Sequence, residues 1–450
     1  MKVQQAPVPH QHALVARIAE RKAQVGVIGL GHIGLPLALA VSECGFPLIG
    51  FDVDDSTVAS ISEGKSPLRH LSQAAIEQAR QTNQFSATTD FSGLEACDII
   101  VICVPTPLAS YREPDLSFVV EAAKNIAAHL RGSQLVVLAS TSYPGTTAEV
   151  VRPIFEATGL REGFDFFLAY AGEREDPGNA DYSTAQIPRV IGADNAAALE
   201  VASAFYEAFV DQVIPVCSTE TAEAVKMTEN VFRAVNIALV NELKIIYSKM
   251  GIDIFEVIAA AKTKPFGFMP FYPGPGIGGH CIPVDPFYLA WKAREFQVSA
   301  RFIELAGEIN AEMPRYVVDR VATVLDDERG RGLSLSRILL IGIAYKRDVD
   351  DTRESPAFAV MDLLQQRGAL VDYHDPFVLT LPAMRNHPLL AGKRSIELTS
   401  NALQQYDIVV VVTDHSAVDW PTLVANAQLL VDTRNICARH DIGRDNIFSA

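Results

Sequence analysis

The chain has 450 residues, 49% of them hydrophobic, and a formal net charge of −16. That length allows two to three domains with proper cores, and the acid excess disfavours nucleic acid and anionic membrane as partners. No apolar run reaches the roughly 18 residues of a membrane span, and six scattered cysteines without a C-x-x-C pair argue against a disulfide framework or zinc site and fit a reducing cytoplasm.

Residues 11–22 read as a short amphipathic helix; Arg17 interrupts its apolar segment, so it is not a signal peptide. A buried strand over 23–28 follows, and Gly29-Leu30-Gly31-His32-Ile33-Gly34 comes at once. Pro36 opens an apolar helix over 37–43, Gly45 stops it, and a strand over 47–51 ends in Asp52. This is the strand, glycine turn, helix, strand, acid order of a dinucleotide site. The glycines allow the tight turn and the approach of a pyrophosphate to the helix N-terminus. Asp52, 18 residues after Gly34, can accept hydrogen bonds from the adenosine ribose and would repel a phosphate there. NAD is therefore expected rather than NADP.

Strands over 97–104, 135–139 and 164–169 run into polar loops. These are Pro105-Thr106-Pro107, then Ser140-Thr141-Ser142-Tyr143-Pro144-Gly145-Thr146, then a loop from Gly172 and Glu173 to Gly178. Each alone is ordinary turn chemistry; several at the carboxyl edge of one sheet mark a ligand site.

Residues 218–250 contain neither glycine nor proline and predict one helix, roughly 45–50 Å long. Lys226 and Asn230 share a face at i and i+4, and Asn230 is a poor helix former among apolar neighbours. Apolar residues beyond one face (Val231, Phe232, Val235, Ile237, Leu239, Val240) point to pairing with a second chain. The stretch 271–286, FYPGPGIGGHCIPVDP, then presents Cys281 beside His280, with Asp285 four residues on. A thiol on a glycine loop near a carboxylate suits a covalent intermediate at a carbonyl carbon; an inert buried cysteine is the ordinary alternative.

A helical stretch over 286–325, with a break at Pro314, precedes a second α/β pattern. It has strands over 337–342, 369–373, 406–412 and 429–431 and a helix over 354–367. VGVIGLGHIG, LIGFDVD and DIIVICVPTP are echoed by ILLIGIAYK, LVDYHDP and DIVVVVTDH. The expected fold is α/β, with two Rossmann-like doubly wound parallel-sheet domains joined by a long central helix and a helical middle domain. The second copy has Gly342-Ile343-Ala344-Tyr345-Lys346 in place of the glycine fingerprint, so it should bind something other than a second NAD. Lys346 and Arg353 suit phosphate.

Together, GLGHIGLP at 29–36, VPTP at 104–107, STSYPGT at 140–146, EREDPGN at 173–179, AVKMTENVFRAVNIALVNE at 224–242, PGPGIGGHCIPVDP at 273–286 and YKRDVDDTRESPA at 345–357 resemble the UDP-glucose/GDP-mannose dehydrogenase family over nearly the whole chain. The cysteine loop with DPFYLAWKAREF looks most like the branch oxidising UDP-N-acetylhexosamines such as UDP-N-acetylglucosamine. The UDP-glucose branch generally has lysine where this chain has Val284.

The resemblance implies an NAD-binding domain over 1–217 and a central domain over 218–325 that dimerises and carries the cysteine loop. It implies a UDP-sugar-binding domain over 326–450. It further implies oxidation of a sugar C6 alcohol to a carboxylate with two NAD reduced, Cys281 passing through a thiohemiacetal and a thioester. Lys226 and Asn230 would donate to the oxygen that becomes anionic, and Asp285, Glu173 and Thr141 would position or deprotonate water. Gly29, Gly31, Ile33, Gly34, Asp52, Thr106, Thr141 and Arg353 would hold the cofactor. Tyr272, Gly278, Lys346 and again Glu173, Lys226 and Asn230 would hold the substrate, with Arg301 able to reach it from a neighbouring subunit. Ala139 and Gly172 stand where family members often have glutamate and proline, which leaves the backbone at Glu173 open. UDP-glucose, UDP-ManNAc or GDP-mannose remain alternative substrates. A two-electron 3-hydroxyacid-type dehydrogenase, or a silent nucleotide-binding protein, would leave Cys281 idle.

Overall fold

The computed structural model describes residues 9–450 apart from 69–70, 83, 110–112, 175–183, 280–281, 383, 385–386 and 444. The chain divides into two compact units, Met1–Glu229 with Phe287–Val298, and Asn230–Pro286 with Ser299–Ala450.

In the first unit, short apolar runs form strands buried at every position: β1 (Val25–Ile28), β4 (Ile99–Ile102), β5 (Leu135–Leu138) and β6 (Phe167–Tyr170). Both faces are covered, as a parallel sheet requires. Val25, Val27, Ile99 and Val101 point into one core, while Ile28, Ile100 and Ile102 point into the other. With β2 (Leu48–Phe51), β3 (Phe85–Thr88), β7 (Arg189–Gly192) and β8 (Val213–Val216), they make an eight-stranded sheet in the order β3-β2-β1-β4-β5-β6-β7-β8. Only the β6–β7 pair is antiparallel. The strand expected over 164–169 begins three residues later, and β3, β7 and β8 were not expected. The chain reverses its winding between β1 and β4, which is where an open α/β sheet binds ligands. Register aligns the ends of four strands, Ile28 with Ile102, Ile102 with Leu138 and Leu138 with Tyr170. The loops carrying the glycine turn, Thr106, Thr141 and Glu173 therefore leave one level of one edge.

The second unit holds a five-stranded sheet, all parallel, in the order β10-β9-β11-β12-β13. Its strands are β9 (Arg337–Ile341), β10 (Leu370–His374), β11 (Ile408–Val411), β12 (Leu430–Asp432) and β13 (Ile447–Ser449). The repeat seen in the sequence is reproduced in its turns. Gly29, at φ +90°, donates its N–H to Phe51 O at 2.8 Å, and Gly342, at φ +83°, donates to His374 O at 2.8 Å. A Cβ on either glycine would collide with the backbone of the neighbouring strand's loop, at Cys103 and Thr413 respectively.

The long helix spans Thr219–Lys249, 31 residues. Ser218 Oγ accepts the Thr221 N–H at 3.1 Å, capping its start. Gly251, at φ +74°, ends it in the left-handed conformation. Two helices follow the cysteine loop, Asp285–Glu295 and Arg301–Arg329. The expected break at Pro314 is absent: Pro314 lies inside the second helix. Its missing N–H leaves the Asn310 carbonyl without a helical donor, and the helix continues. The chain instead breaks between the two helices, where Gln297 has φ +58°. Among the described residues, no helix is long and apolar enough to cross a membrane.

Candidate active site

At the first sheet's edge the glycines have different reasons to be glycine. A Cβ on Gly34 would overlap the Gly29 carbonyl oxygen, whereas one on Gly31 would meet no protein atom within 4 Å. Gly31 thus faces space that packing does not explain, in front of the helix Gly34–Glu43. Ile33, at that helix's N-cap, makes no side-chain cap bond; Leu35 N–H is bonded to Gly31 O at 3.1 Å and Leu37 N–H to Ile33 O at 3.3 Å, and Pro36 has no N–H, so of the first turn the Gly34 N–H is left to face an anion. Asp52 accepts the Leu30 N–H on Oδ2 at 2.7 Å and the Asp54 N–H on Oδ1 at 3.0 Å, one donor per oxygen. A carboxylate has about four acceptor sites, so capacity remains for a ribose diol. These residues fit NAD, which when bound accepts a hydride.

The matching acid in the second unit has no such capacity. Asp375 Oδ2 accepts from Ile343 N, Ala344 N and His415 Nε2, and Oδ1 accepts from Phe377 N and Val378 N. His415 Nδ1 accepts the Asp348 N–H at 3.0 Å, which leaves Nε2 to donate to Asp375. Burial would raise the Asp375 carboxyl, but the bonds from His415, Ala344 and Ile343 outweigh it and hold it below the usual range. The turn is filled by its own side chains, a physical reason for it not to take a second dinucleotide.

We expect Gly31→Ala to leave thermal stability unchanged, because an exposed substitution in open space costs within roughly 0.5 kcal/mol. It should weaken NAD binding by about tenfold or more, the loss of some 1.4 kcal/mol; a thermal melt checks the first half and calorimetric titration with NAD the second. Unchanged affinity would show that Gly31 does not face the cofactor.

Thr106 and Thr141 are buried in the loops after β4 and β5, which Ser140 ties together by donating to Val104 O at 2.8 Å. Tyr288, in the helix that follows the cysteine loop, donates its hydroxyl to Pro107 O at 3.0 Å. Tyr143 packs against Tyr288 and Trp291, and Lys292 pairs with Glu149 at 2.7 Å. The helix is thus pinned to the loops carrying Thr106 and Thr141. Glu173 is buried beside Arg189, with 2.9 Å between Oε2 and Nη1, and takes the Arg174 N–H at 2.7 Å. Its carboxylate is anchored by a cation that sequence reasoning did not single out; an arginine opening the apolar strand RVIG was the available signal.

Lys226 is half-buried on the long helix. One turn on, the buried Asn230 amide donates to the buried Asp285 carboxylate at 2.5 Å, so these two expected residues are brought together. His280, Cys281 and residues 175–179 of the EREDPGN motif lie outside the described residues. The glycine loop before Cys281 is held at both ends. Gly274 N–H donates to Asn241 Oδ1 at 3.0 Å, Asn241 donates to Asn310 at 2.9 Å, and Gly279 N–H donates to Arg353 O at 3.1 Å. A Cβ on Gly278 would press on Tyr345 and Pro356, and one on Gly274 would press on Arg434. Close packing against protein therefore accounts for these glycines. Tyr272 is exposed, Lys346 half-buried, and the Arg353 guanidinium is held by Asp351 at 2.6–3.0 Å.

Three family models of the UDP-glucose/GDP-mannose dehydrogenase family match the chain. They are its NAD binding domain over residues 23–210, its central domain over 220–312 and its UDP binding domain over 339–439. A UDP-N-acetyl-D-glucosamine 6-dehydrogenase of Pseudomonas aeruginosa is 33% identical over 395 residues, covering 87% of this chain and 90% of that protein. An NDP-N-acetyl-D-galactosaminuronic acid dehydrogenase of Ralstonia nicotianae is 35% identical over 428 residues, covering 92% and 96%. Among solved structures, a UDP-D-ManNAc dehydrogenase from Pyrococcus horikoshii superposes with a TM-score of 0.82 at 31% identity, covering 92% of this chain and 96% of that one. The filled turn of the second sheet agrees with a domain that takes UDP where the first takes NAD. The chain belongs to the UDP-glucose/GDP-mannose dehydrogenase family and is an NAD-dependent nucleotide-sugar dehydrogenase.

Proposed function

We propose that the protein oxidises the C6 alcohol of a UDP-N-acetylhexosamine, UDP-N-acetylglucosamine first among them, to the uronate, releasing two NADH per sugar. Lys226 and Asn230 donate to the C6 oxygen as it becomes anionic. The Cys281 thiolate adds to the aldehyde carbon, giving a thiohemiacetal; loss of a second hydride leaves a thioester. Water, placed by Asp285 with Thr141 and Glu173, cleaves the thioester and returns the thiol. The half-buried Lys226 ammonium also favours the thiolate. Lys346, Tyr272 and Gly278 hold the sugar nucleotide and Arg353 the cofactor, and the roles divide over 1–217 (NAD), 218–325 (helical spine and cysteine loop) and 326–450 (UDP-sugar).

The observation that best supports this reading is the Asn230–Asp285 pair. It fixes a carboxylate four residues beyond Cys281 against a helix that also carries Lys226. The choice of sugar rests on the relatives, whose names give acetamido sugars that differ in configuration at C2 or C4. Turnover of UDP-GlcNAc, UDP-GalNAc, UDP-ManNAc, UDP-glucose and GDP-mannose with NAD tests it. Preference for a sugar without an acetamido group would refute the assignment.

The working unit in this reading is a cytoplasmic homodimer. Phe232, Leu239 and Ile246 are exposed on the long helix at seven-residue spacing, the repeat of a helix–helix seam. Sedimentation velocity should give about twice the 48.9 kDa chain mass, and Leu239→Glu should shift it toward the monomer. A wild-type monomer at enzyme-assay concentrations would remove the dimer from the account.

A further inference from the structure

Buried on the long helix, three residues before Lys226, is a carboxylate that the proposed chemistry does not use. Glu223 is fully inaccessible. Its Oε2 accepts the Gly145 N–H at 2.6 Å; its Oε1 accepts the Thr147 N–H at 2.8 Å, the Thr147 hydroxyl at 2.7 Å and the Ser142 hydroxyl at 3.5 Å. Those donors come from the loop after β5 and the first turn of the π-helical segment Thr146–Val151. The segment opens at Gly145, whose φ of +105° only glycine adopts without strain. Its orphan N–H groups are thus satisfied by a side chain from another helix rather than by a cap of its own.

We propose that Glu223 is a positioning residue for the oxidation: it locks the loop that carries Thr141 to the helix turn that carries Lys226, so that the two side chains keep a fixed separation. This rests on the reading that Thr141 and Lys226 serve the reaction. Glu223 and Lys226, at i and i+3, share one helix face, so a shift of the loop on Glu223 moves Thr141 relative to the ammonium. The anion suits the site because all four partners donate. Gly145 N–H can only donate, so a proton on Oε2 would meet another hydrogen, and a proton on Oε1 requires a hydroxyl of Thr147 or Ser142 to turn round. Burial nonetheless pushes the carboxyl up to about 7, against the Thr147 and Gly145 bonds and aided by Glu220 one turn earlier. Other charges near this turn are Glu149, whose carboxylate lies against Gly145 and pairs with Lys292, and the Arg152–Asp194 pair at the helix start.

Glu223→Gln keeps the length of the side chain but sets an amide N–H₂ against a donor. We expect kcat to fall about 10²-fold, a loss that displacing a catalytic group by about 1 Å can cause. The wild-type rise in kcat through about pH 7 should be missing from the variant. Thr147→Val, which deletes one bond and should fold, is expected to lower kcat by about tenfold and to add nothing in the Glu223→Gln background. A kcat for Glu223→Gln near wild type with its pH step intact, or fully additive losses in the double variant, overturns the proposal. Lys226→Met run alongside separates the failures. If it keeps full kcat, the reading of the reaction falls and takes this inference with it; if it loses kcat while Glu223→Gln does not, only the role of Glu223 falls.

Discussion

Cys281→Ala is expected to abolish acid formation, lowering turnover on the order of 10⁴-fold or more, as removal of a catalytic nucleophile does, while NAD still binds. The two halves have separate causes. Without the sulfur no thiohemiacetal forms, so the aldehyde is not held for loss of a second hydride and no thioester reaches water. The cradle proposed for the cofactor, by contrast, is the Gly29–Gly34 turn with Asp52, tied by the Leu30 N–H bond at 2.7 Å. None of these residues belongs to the cysteine loop. Mass spectrometry of the product with calorimetric NAD binding reads both. A variant that makes the acid at the wild-type rate would refute the covalent route.

Lys226→Met should lower kcat by about 10²–10³-fold, the cost of losing one preorganised donor to a developing oxyanion, with a smaller effect on KM. The long helix presents this ammonium from a rigid element. It is capped at Ser218, anchored to Asp194 at Thr219 and fixed to the β5 loop at Glu223. Lys226 is half-buried on that helix. The same substitution should slow alkylation of Cys281 by iodoacetamide at neutral pH, because a cation beside a thiol lowers its pKa. A loss in kcat below about tenfold would be too small for an oxyanion donor.

Much of this was legible because apolar runs covered on both faces read as continuous hydrophobic segments. That is why β1, β4, β5, β9 and β11 stood out, along with the glycine turn, the acid after β2 and the internal repeat. Of the strands that escaped, β3, β8 and β13 are sheet margins and β7 lies next to one. β8 is partly exposed and contains Pro215, β13 is partly exposed, and β7 begins with a charged Arg189. Proline periodicity misled at Pro314, where the loss of a single N–H did not outweigh the packing of a 29-residue helix whose Val317, Val318 and Val321 are buried. In the site, the glycine turn and the acids Asp52, Glu173 and Asp285 could be picked out singly, but the partners of the buried charges could not. Glu173 meets Arg189 across 16 residues of sequence, and Glu223 meets Gly145 and Thr147 across more than 70. Nothing in local spacing says that a glutamate on a helix faces inward to cap a loop. The saturation of Asp375 was likewise invisible, although its place opposite Asp52 in the repeat was plain.

The central claim is that one thiol carries one sugar through both oxidations. The measurement closest to it is the number of NADH molecules formed per UDP-sugar consumed, with the product's carboxylate identified in the same sample. Two per sugar, with uronate as product and no free aldehyde, is the expected result; one per sugar, with the aldehyde or ketone released, would contradict it.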